Sequence, residues 1–585
     1  MGNAVSRLGE KGPAGLEIEP VGLWLDAGMT SRRVFTGDRP RHSKLSAGFV
    51  LELGLPDTPS ISAVVDRPVR PVPQHMRFNS YEFIFAFLPI VWLGWRALVG
   101  FGARRAGVVW LCLASLFFYG YWNVRYVPLL VVSLLINFGI GRVLSRRDGR
   151  SGSRGWLSVG LIWNLGLLAY FKYFNFFLEN VNALTGANLP LEKIILPLGI
   201  SFFTFQKIAF LVDARRGEVR DVQFADFALF VLFFPQLIAG PIVHHGEFIP
   251  QLKREALWKF DARTTLLGGA LFAAGLFQKA AIADTLAPIA DSTFGLVSNG
   301  ARLRLVEAWV GVSAYSLQLF YDFAGYSHMA LGLALLFGFR LPVNFMAPYR
   351  ARSMIEFWRR WHITLSSFLR DYVYIPLGGN RRGYPRQMAN LLFTMTLAGL
   401  WHGAGWTFVL WGFGHGAALI VNHLWRRWHK LPREHAGPGW AFALTLFAAG
   451  LGWVLFRAPN LPTARLLVES LFGVHGISVP ISWARIVEPL APVIRPRGLL
   501  PSIQAAPTGL IVLLLCAWFA VRGPFLLKWL GVTAQDITSP EKVRPEELSE
   551  NGSVLNPWKL AAAGAMFAIA IAALTRSSPF LYFQF

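Results

Sequence analysis

Residues 399–408 read GLWHGAGWTF and place His402 inside a long apolar stretch, with no carboxylate, cysteine or lysine within eight positions on either side. An ionisable group in such a run is costly and, within a membrane, faces an interior cavity. Imidazole accepts and donates protons near neutral pH. Three readings of His402 stand side by side: a neutral hydrogen-bonded group that pins helices, a proton or ion relay, and a general base. A second histidine, His362, sits in EFWRRWHITLS beside Arg359, Arg360 and Trp361. It reads either as an interfacial residue of a Trp–Arg belt or as an active-site group. His415 reads as structural or as a helper, and His423 as interfacial. In YDFAGYS, Asp322 is flanked by Tyr321 and Tyr326. A carboxylate there needs a basic residue, a hydroxyl or backbone donors, and it serves either to shape a cavity and orient a catalytic group or as a hinge. His328 reads as a packing residue. His244 and His245 adjoin a Pro–Gly break without a third ligand nearby in sequence, so no metal site is expected. There is no G-x-x-x-x-G-K phosphate loop, and LGGN at 377–380 is a turn signal.

Such groups need a scaffold that keeps water away from most of them. Of the 585 residues, 54% are hydrophobic and only 15% charged, where soluble chains carry about a quarter charged. The apolar residues fall in runs of roughly 17–22, the length that crosses a hydrocarbon core of about 30 Å. The fold class expected is therefore all-α: a polytopic integral membrane protein with about 11–13 transmembrane helices, plus re-entrant or interfacial helices around a central tunnel. A barrel would show short alternating segments instead. Expected spans are 81–100, 107–122, 126–143, 156–178, 193–212, 264–284, 305–323, 387–402, 404–424, 440–457, 508–527 and 557–575. The net charge of +23 lies in short basic clusters between these runs, the pattern of cytoplasmic loops. With no basic face carrying interleaved stacking groups, nucleic acid is not an expected partner; the lipid bilayer is. Cys112 and Cys516 both lie in apolar runs and indicate neither a disulfide framework nor a thiolate site.

Positive charge orients the chain. Arg104 and Arg105, the cluster from Arg142 to Arg154, and Arg215, Arg216 and Arg220 alternate correctly if those loops are cytoplasmic. FADFALFVLFFPQLIAGPIV then has basic residues on both flanks, as does WHITLSSFLRDYVYIPLGGN. Neither can cross and return to the same side as a single span. Both read as re-entrant elements, which are tolerated only where protein shields them or they line a wet cavity. Between RRGYPR and WRRWHKLPR the chain goes out and back, with His402 near the middle and Gly403-Ala404-Gly405 at the turn. No internal repeat stands out, which disfavours inverted-repeat transporters.

Residues 1–75 differ from the rest. They hold eight prolines, nine Lys or Arg against eight Asp or Glu, and no run of membrane length or signal-peptide pattern. The domain expectation is a disordered extension or a mis-assigned start over 1–75, with Met76 as the natural start. A membrane domain follows over 76–585, with its core at about 190–425 and C-terminal helices at 440–585.

Several stretches, in order, resemble the membrane-bound O-acyltransferase family, and most closely its bacterial polysaccharide-acetylating branch. They are SYEFIFAFLPI, YFKYFNFF, LPLGISFFTFQ, FFPQLIAGPIV, LQLFYDFAGYSHMALG, the block from PVNFMAPYR to IPLGGNR, GLWHGAGWTFVLWGFGHG, WVLFRA and the terminal PFLYFQF. The resemblance spans Ser80 to Phe585. It departs from the family pattern where DFSGYSDMA reads DFAGYSHMA, so Ala324 and His328 replace a serine and an aspartate. The resemblance implies that His402 and His362 are the active-site histidines, with Asp322, Tyr321, Asn344, Trp401, Trp361 and His415 supporting them or lining the cavity. Arg359 and Arg360 would attract the donor's phosphates. No bound cofactor is implied, only an acyl thioester such as acetyl-CoA as co-substrate. The acceptor would be an exported polysaccharide, reached directly or through a periplasmic SGNH-type partner, together with synthesis and export machinery. The location implied is the bacterial inner membrane. A transporter or channel without acyl chemistry and a non-catalytic export scaffold remain the alternatives.

Overall fold

The computed structural model describes residues 76–146, 153–432, 437–479, 494–496, 507–523, 525–550, 556–576, 578, 580 and 581. The expectations for residues 1–75 lie outside them. Residues 75–585 make one compact unit, and the other unit, 1–74, falls within the undescribed part.

The first helices form an apolar wall. They are α1 (Leu88–Gly100), α2 (Arg104–Asn123), α3 (Val127–Arg146), α4 (Ser153–Leu168) and α5 (Phe174–Thr185). Arg104–Arg146 is one apolar helical run of 43 residues. At 1.5 Å per residue that is about 64 Å, roughly twice a bilayer core. It breaks at Asn123, where φ is −160° and the side chain accepts from the Arg125 N–H, so α2 and α3 are separate passes. Four further runs, Phe83–Gly100, Ser153–Thr185, Ala262–Ser298 and Gly439–Arg457, are also long and apolar enough to cross.

The other expected spans fall on helices too, but these carry buried polar groups that dilute their apolarity. They include α6 (Ile200–Arg216), α10 (Leu305–Leu336), α13 (Tyr384–His402) and α14 (Trp406–Trp428). Between them lie α7 (Phe224–Leu232), α8 (Ala262–Phe277), α9 (Asp284–Ser298), α11 (Met354–Arg360) and α12 (Ile363–Leu369). After them come α15 (Gly439–Arg457), α16 (Leu461–Leu471), α17 (Pro507–Arg522) and α18 (Pro557–Ala573). A three-residue parallel pair, β1 (Ile477–Val479) with β2 (Ile494–Pro496), is the sheet among the described residues.

Helix α10 is the central pillar: every residue from Leu317 to Leu335 is buried. Small residues let α8 approach it. A Cβ on Gly275 would sit 2.6 Å from the Gly325 carbonyl, and one on Gly268 would sit 2.7 Å from that of Gly332. Close backbone approach of this kind drives helix association where lipid offers no hydrophobic contrast.

Both expected re-entrant segments are broken. The nine residues of α7 rise only about 13 Å. The helix ends at Phe233 (φ −46°, ψ 107°), and the chain runs on buried to Val243. Helices α11 and α12 have seven residues each and are joined through Trp361 and His362. The hairpin of α13 and α14 turns at Gly403–Gly405 for a reason other than backbone freedom. Gly403 is extended, with φ −155°, but a Cβ there would meet the Phe408 ring at 2.1 Å.

Candidate active site

His362 occupies the left-handed region, with φ 45° and ψ 55°, at the N-cap of α12. A side chain with a Cβ holds that conformation at a cost of about 1–3 kcal/mol. Backbone bonds fix it on both sides: Met346 N–H donates to the Arg360 carbonyl at 2.9 Å, and Ile363 N–H to the Asn344 carbonyl at 3.0 Å. The strained backbone turns the imidazole into the protein, where it is fully buried. Phe323 of α10 packs edge-on to it at 4.8 Å.

The tautomer of His362 follows from its neighbours. Asn344 Oδ1 accepts from the Thr364 backbone N–H at 3.3 Å and from the Thr364 hydroxyl at 2.9 Å. That atom is therefore the amide oxygen, and His362 Nδ1, 3.0 Å away, must donate to it. The proton sits on Nδ1 and a lone pair on Nε2, which is buried without a hydrogen-bond partner among the described residues. This is the configuration of a base or an acceptor awaiting a ligand's donor.

His402 ends α13 and faces that ring, with centroids 6.3 Å apart. It is 5% exposed. Trp411 lies edge-on to it at 5.1 Å and Phe456 at 5.2 Å. Trp401 stacks on Phe205 at 5.0 Å, and Phe205 stacks on Phe368 at 4.0 Å. Trp361 packs against Phe345 at 5.1 Å and Trp453 at 4.7 Å. His415 lies 4.8 Å from Trp411, and neither of its nitrogens has a partner among the described residues. The indole N–H groups of Trp358 and Trp411 are likewise buried and unpaired. Buried polar atoms are ordinarily satisfied. Their concentration around two facing imidazoles marks a place built to receive polar atoms from outside the chain.

Other residues expected at the site lie apart from the histidines. Asp322 contacts Lys279 Nζ at 2.6 Å, and Lys279 contacts Asp284 at 2.7 Å. Asp284 Oδ1 accepts from the Ser578 hydroxyl at 2.6 Å, and Asp322 Oδ2 accepts from the Leu581 N–H at 3.1 Å. Asp322 thus anchors the C-terminal segment to α10. Tyr321 donates to the Cys516 carbonyl at 3.1 Å and lines a separate apolar cavity of about 570 Å³ with Phe345, Met346 and Arg350. Arg360 is buried, pairs with Glu356 at 3.1 Å and donates to the Met346 carbonyl at 2.9 Å. Its guanidinium is committed to the hinge beside His362. Arg359 is exposed.

A cleft of about 550 Å³ does lead toward the histidines. Arg216, Arg370 and Lys542 line it together with their carboxylate partners Asp213, Asp371 and Glu247, and the buried Ile363, Thr364 and Phe368 line it as well. Thr364 shares Asn344 with His362, so the cleft ends one residue from that ring. Its size is that of a small-ligand site.

Beside the cleft, the sequence reading of His244 and His245 as unaccompanied needs correction. Asp213 of α6 joins them, and one donor atom from each lies within 4.8 Å of the others. Their separation of 31 residues hid the grouping. His244 Nδ1 accepts from the Gly246 N–H at 3.2 Å, which places the ring proton on Nε2, pointing at Asp213 at 2.6 Å. Tyr372 also donates to that carboxylate, at 2.5 Å. A hydrogen-bonded network accounts for the cluster better than an open ligand set. Burial, then the neighbouring His244, holds His245 down to about 4 against the pull of Asp213.

Sequence reasoning also missed Lys172. Its ammonium donates to the carbonyls of Trp401 at 2.6 Å and His402 at 2.9 Å, from 230 residues away.

Comparison with known proteins supplies independent evidence. The sequence model of the membrane-bound O-acyltransferase family matches residues 155–450, which include both histidines. A peptidoglycan O-acetyltransferase of Helicobacter pylori is 42% identical over 433 residues, covering 69% of this chain and 81% of that protein. A probable alginate O-acetylase of Pseudomonas putida is 37% identical over 524 residues, 87% of this chain and 100% of that protein. A teichoic acid D-alanyltransferase of Streptococcus thermophilus is 31% identical over 247 residues, 40% of this chain and 58% of that protein.

Proposed function

The chain belongs to the membrane-bound O-acyltransferase family, and from that premise we propose that it moves an acetyl group from a cytoplasmic thioester, acetyl-CoA, to an exported polysaccharide. The observation that carries the reading is the pair of facing imidazoles, His362 and His402, buried beyond the inner wall of a cleft whose rim carries paired cations and carboxylates.

The chemistry is acyl transfer. The acceptor hydroxyl oxygen attacks the thioester carbonyl carbon, a new C–O bond forms and the C–S bond breaks. His402 takes the hydroxyl proton and returns it to the departing thiolate, so the enzyme ends unchanged. General-base assistance of this kind contributes about 10²–10⁴-fold. His362, held by Asn344 with its Nε2 lone pair facing inward, orients the attacking group from the other side. Holding both reactants in line supplies most of what remains of the acceleration. We route the donor through the cleft, its acyl end passing Thr364 toward His362. Each rim cation already pairs with a lining carboxylate, Arg216 with Asp213, Arg370 with Asp371 and Lys542 with Glu247, so phosphate binding there exchanges one anion for another. Arg360 is engaged at the hinge with Glu356.

The acceptor side follows the relatives' names, two of which act on peptidoglycan or alginate. A periplasmic SGNH-type partner that relays acetyl to the polymer, in the bacterial inner membrane, fits a chain whose basic loops share one side. The test uses membranes expressing this chain with its genomic neighbours, supplied with radiolabelled acetyl-CoA. Label enters the polymer with the wild type. With His402→Ala it does not, although the protein stays in the membrane. Normal acetylation by that variant would remove His402 from the mechanism.

A further inference from the structure

The reactive histidine is the last residue of α13, and its helix end is held from outside the hairpin. The final carbonyls of a helix lack intrahelical partners. Here three in succession are taken by the turn of π-helix, Ala169–Tyr173, that joins α4 to α5. Tyr173 donates its hydroxyl to the Leu400 carbonyl at 3.0 Å. Lys172 donates to the carbonyls of Trp401 at 2.6 Å and His402 at 2.9 Å. Its ammonium also lies 5.9 Å from the centre of the Trp401 ring. About two turns on, Asn180 accepts from the Trp406 indole N–H at 2.9 Å, across the Gly403–Gly405 turn. The same outer segment therefore grips both arms of the hairpin.

We propose that Lys172 is a positioning residue for acyl transfer: its ammonium caps the C-terminus of the helix bearing His402 and fixes where that imidazole stands relative to His362. The inference rests on the proposed role of His402. Three physical facts support it. A cation at a helix C-terminus meets the negative end of the dipole, and charge-assisted bonds to carbonyls are short and strong. The π-turn inserts an extra residue into the ladder and is common at functional sites, here turning Lys172 and Tyr173 toward α13. Lastly, Lys172 touches the backbone of His402 itself, so an altered cap is transmitted through one residue.

The alternative is a lysine that anchors α4 and α5 at the membrane surface. Enzyme kinetics separate the two. Acetyl transfer from radiolabelled acetyl-CoA is measured in membranes for the wild type, His402→Gln, Lys172→Met, Lys172→Arg and Tyr173→Phe, normalised to folded protein by thermal melting in detergent. Misplacement by about 1 Å costs on the order of 10²-fold. Lys172→Met is expected to lower kcat by about 10–10²-fold with the KM for acetyl-CoA within about twofold. Lys172→Arg, which keeps cation and donors, recovers most of it. Tyr173→Phe loses about threefold.

A Lys172→Met enzyme with wild-type kcat overturns the inference. So does a loss that follows the melting temperature alone and is not restored by arginine. Should Lys172→Met fail to accumulate, Lys172→Gln is read against the same two outcomes. An active His402→Gln variant would instead remove the premise, whatever Lys172→Met does.

Discussion

Two buried polar centres adjoin α10, one at Asp322 and one against Phe323, and they are satisfied to different degrees. Around Lys279, Asp284 and Asp322, cation, carboxylates, a hydroxyl and a backbone N–H meet at 2.6–3.2 Å. Around His362 and His402, one ring nitrogen, two indole N–H groups and both nitrogens of His415 have no partner among the described residues. The first centre is charge-paired and leaves one carboxylate oxygen, Asp284 Oδ2, without a hydrogen bond or ion pair among the described residues, whereas the second leaves five polar atoms without either. A buried polar group does not announce function by being buried; what it lacks is the informative part.

The largest effect expected follows from that contrast. His402→Ala should remove acetyl transfer by about 10²–10⁴-fold, the range for a lost general base. It should lower the melting temperature of the detergent-purified protein less than loss of Lys279 does, because it removes ring contacts with Trp411 and Phe456 but strands no buried charge. A His402→Ala protein that melts far lower would place this centre with the other one.

Lys279→Met should do the reverse. Removing the cation leaves two carboxylates buried together, and breaking a buried pair costs about 3–5 kcal/mol. Less protein should accumulate and the remainder should melt early, while each folded molecule still transfers acetyl groups. Replacing Asp284 and Asp322 by asparagine in the same chain should recover a good part of the stability, since the uncompensated charge is gone. Failure to recover would mean that docking of the C-terminal segment, through Ser578 and Leu581, carries more weight than charge.

What the sequence revealed and what it concealed divide along the same line. Hydropathy placed its twelve expected spans largely on helices, five runs among the described residues being long and apolar enough to cross, and flanking arginines marked two segments that are built from short helices, because both signals are local. His402 and His362 stand out as polar interruptions within apolar text. Their partners do not. Lys172 lies 230 residues from His402, Lys279 lies 43 residues before Asp322, and Asp213 lies 31 residues before His244. Each pairing exists only because separate helices meet. The sequence reads Asp322 as a group that shapes a cavity and orients a catalytic group, or as a hinge; its nearest charge is Lys279, in the turn between α8 and α9. Arg360 reads as a free cation until its partner Glu356, one turn earlier, is seen to face it.

A smaller effect tests the tautomer of His362. Asn344→Leu keeps the branched side-chain outline and deletes the oxygen that receives Nδ1–H. One such bond is worth about 1 kcal/mol, roughly fivefold in rate. The deletion also removes the acceptor of the Thr364 hydroxyl and N–H, so a loss of about five- to tenfold in kcat is expected. Asn344→Asp, which keeps an acceptor at the same place, should lose less. Equal losses in the two would mean that Asn344 supports the bend at His362 and not its proton.

The smallest effect contrasts two ion pairs of like geometry at the ends of helices, Arg263 at the start of α8 and Arg104 at the start of α2. Arg263 meets Asp536 through two bonds of 2.7 and 2.9 Å, and Asp536 is 4% exposed. Arg104 meets Glu255 through two bonds of 2.7 and 2.6 Å, with both side chains open to solvent. Burial alone would raise the Asp536 carboxyl, but bonds from Arg263 and Thr533 outweigh it and hold the group below the ordinary carboxylate range. A depressed folded pKa stabilises above the unfolded value, near 3.9, and that contribution drains away as pH falls below it. Asp536→Asn should therefore lower the melting temperature at pH 7 by the equivalent of about 1–2 kcal/mol. The difference from wild type should narrow as pH falls below 4. Glu255→Gln should leave the melting curve unchanged at both pH values, since solvent screens an exposed pair and long side chains lose entropy in making it. If the two substitutions behaved alike, bond length rather than enclosure would decide what a charge contributes here, and the reading of both centres beside α10 would have to be reversed.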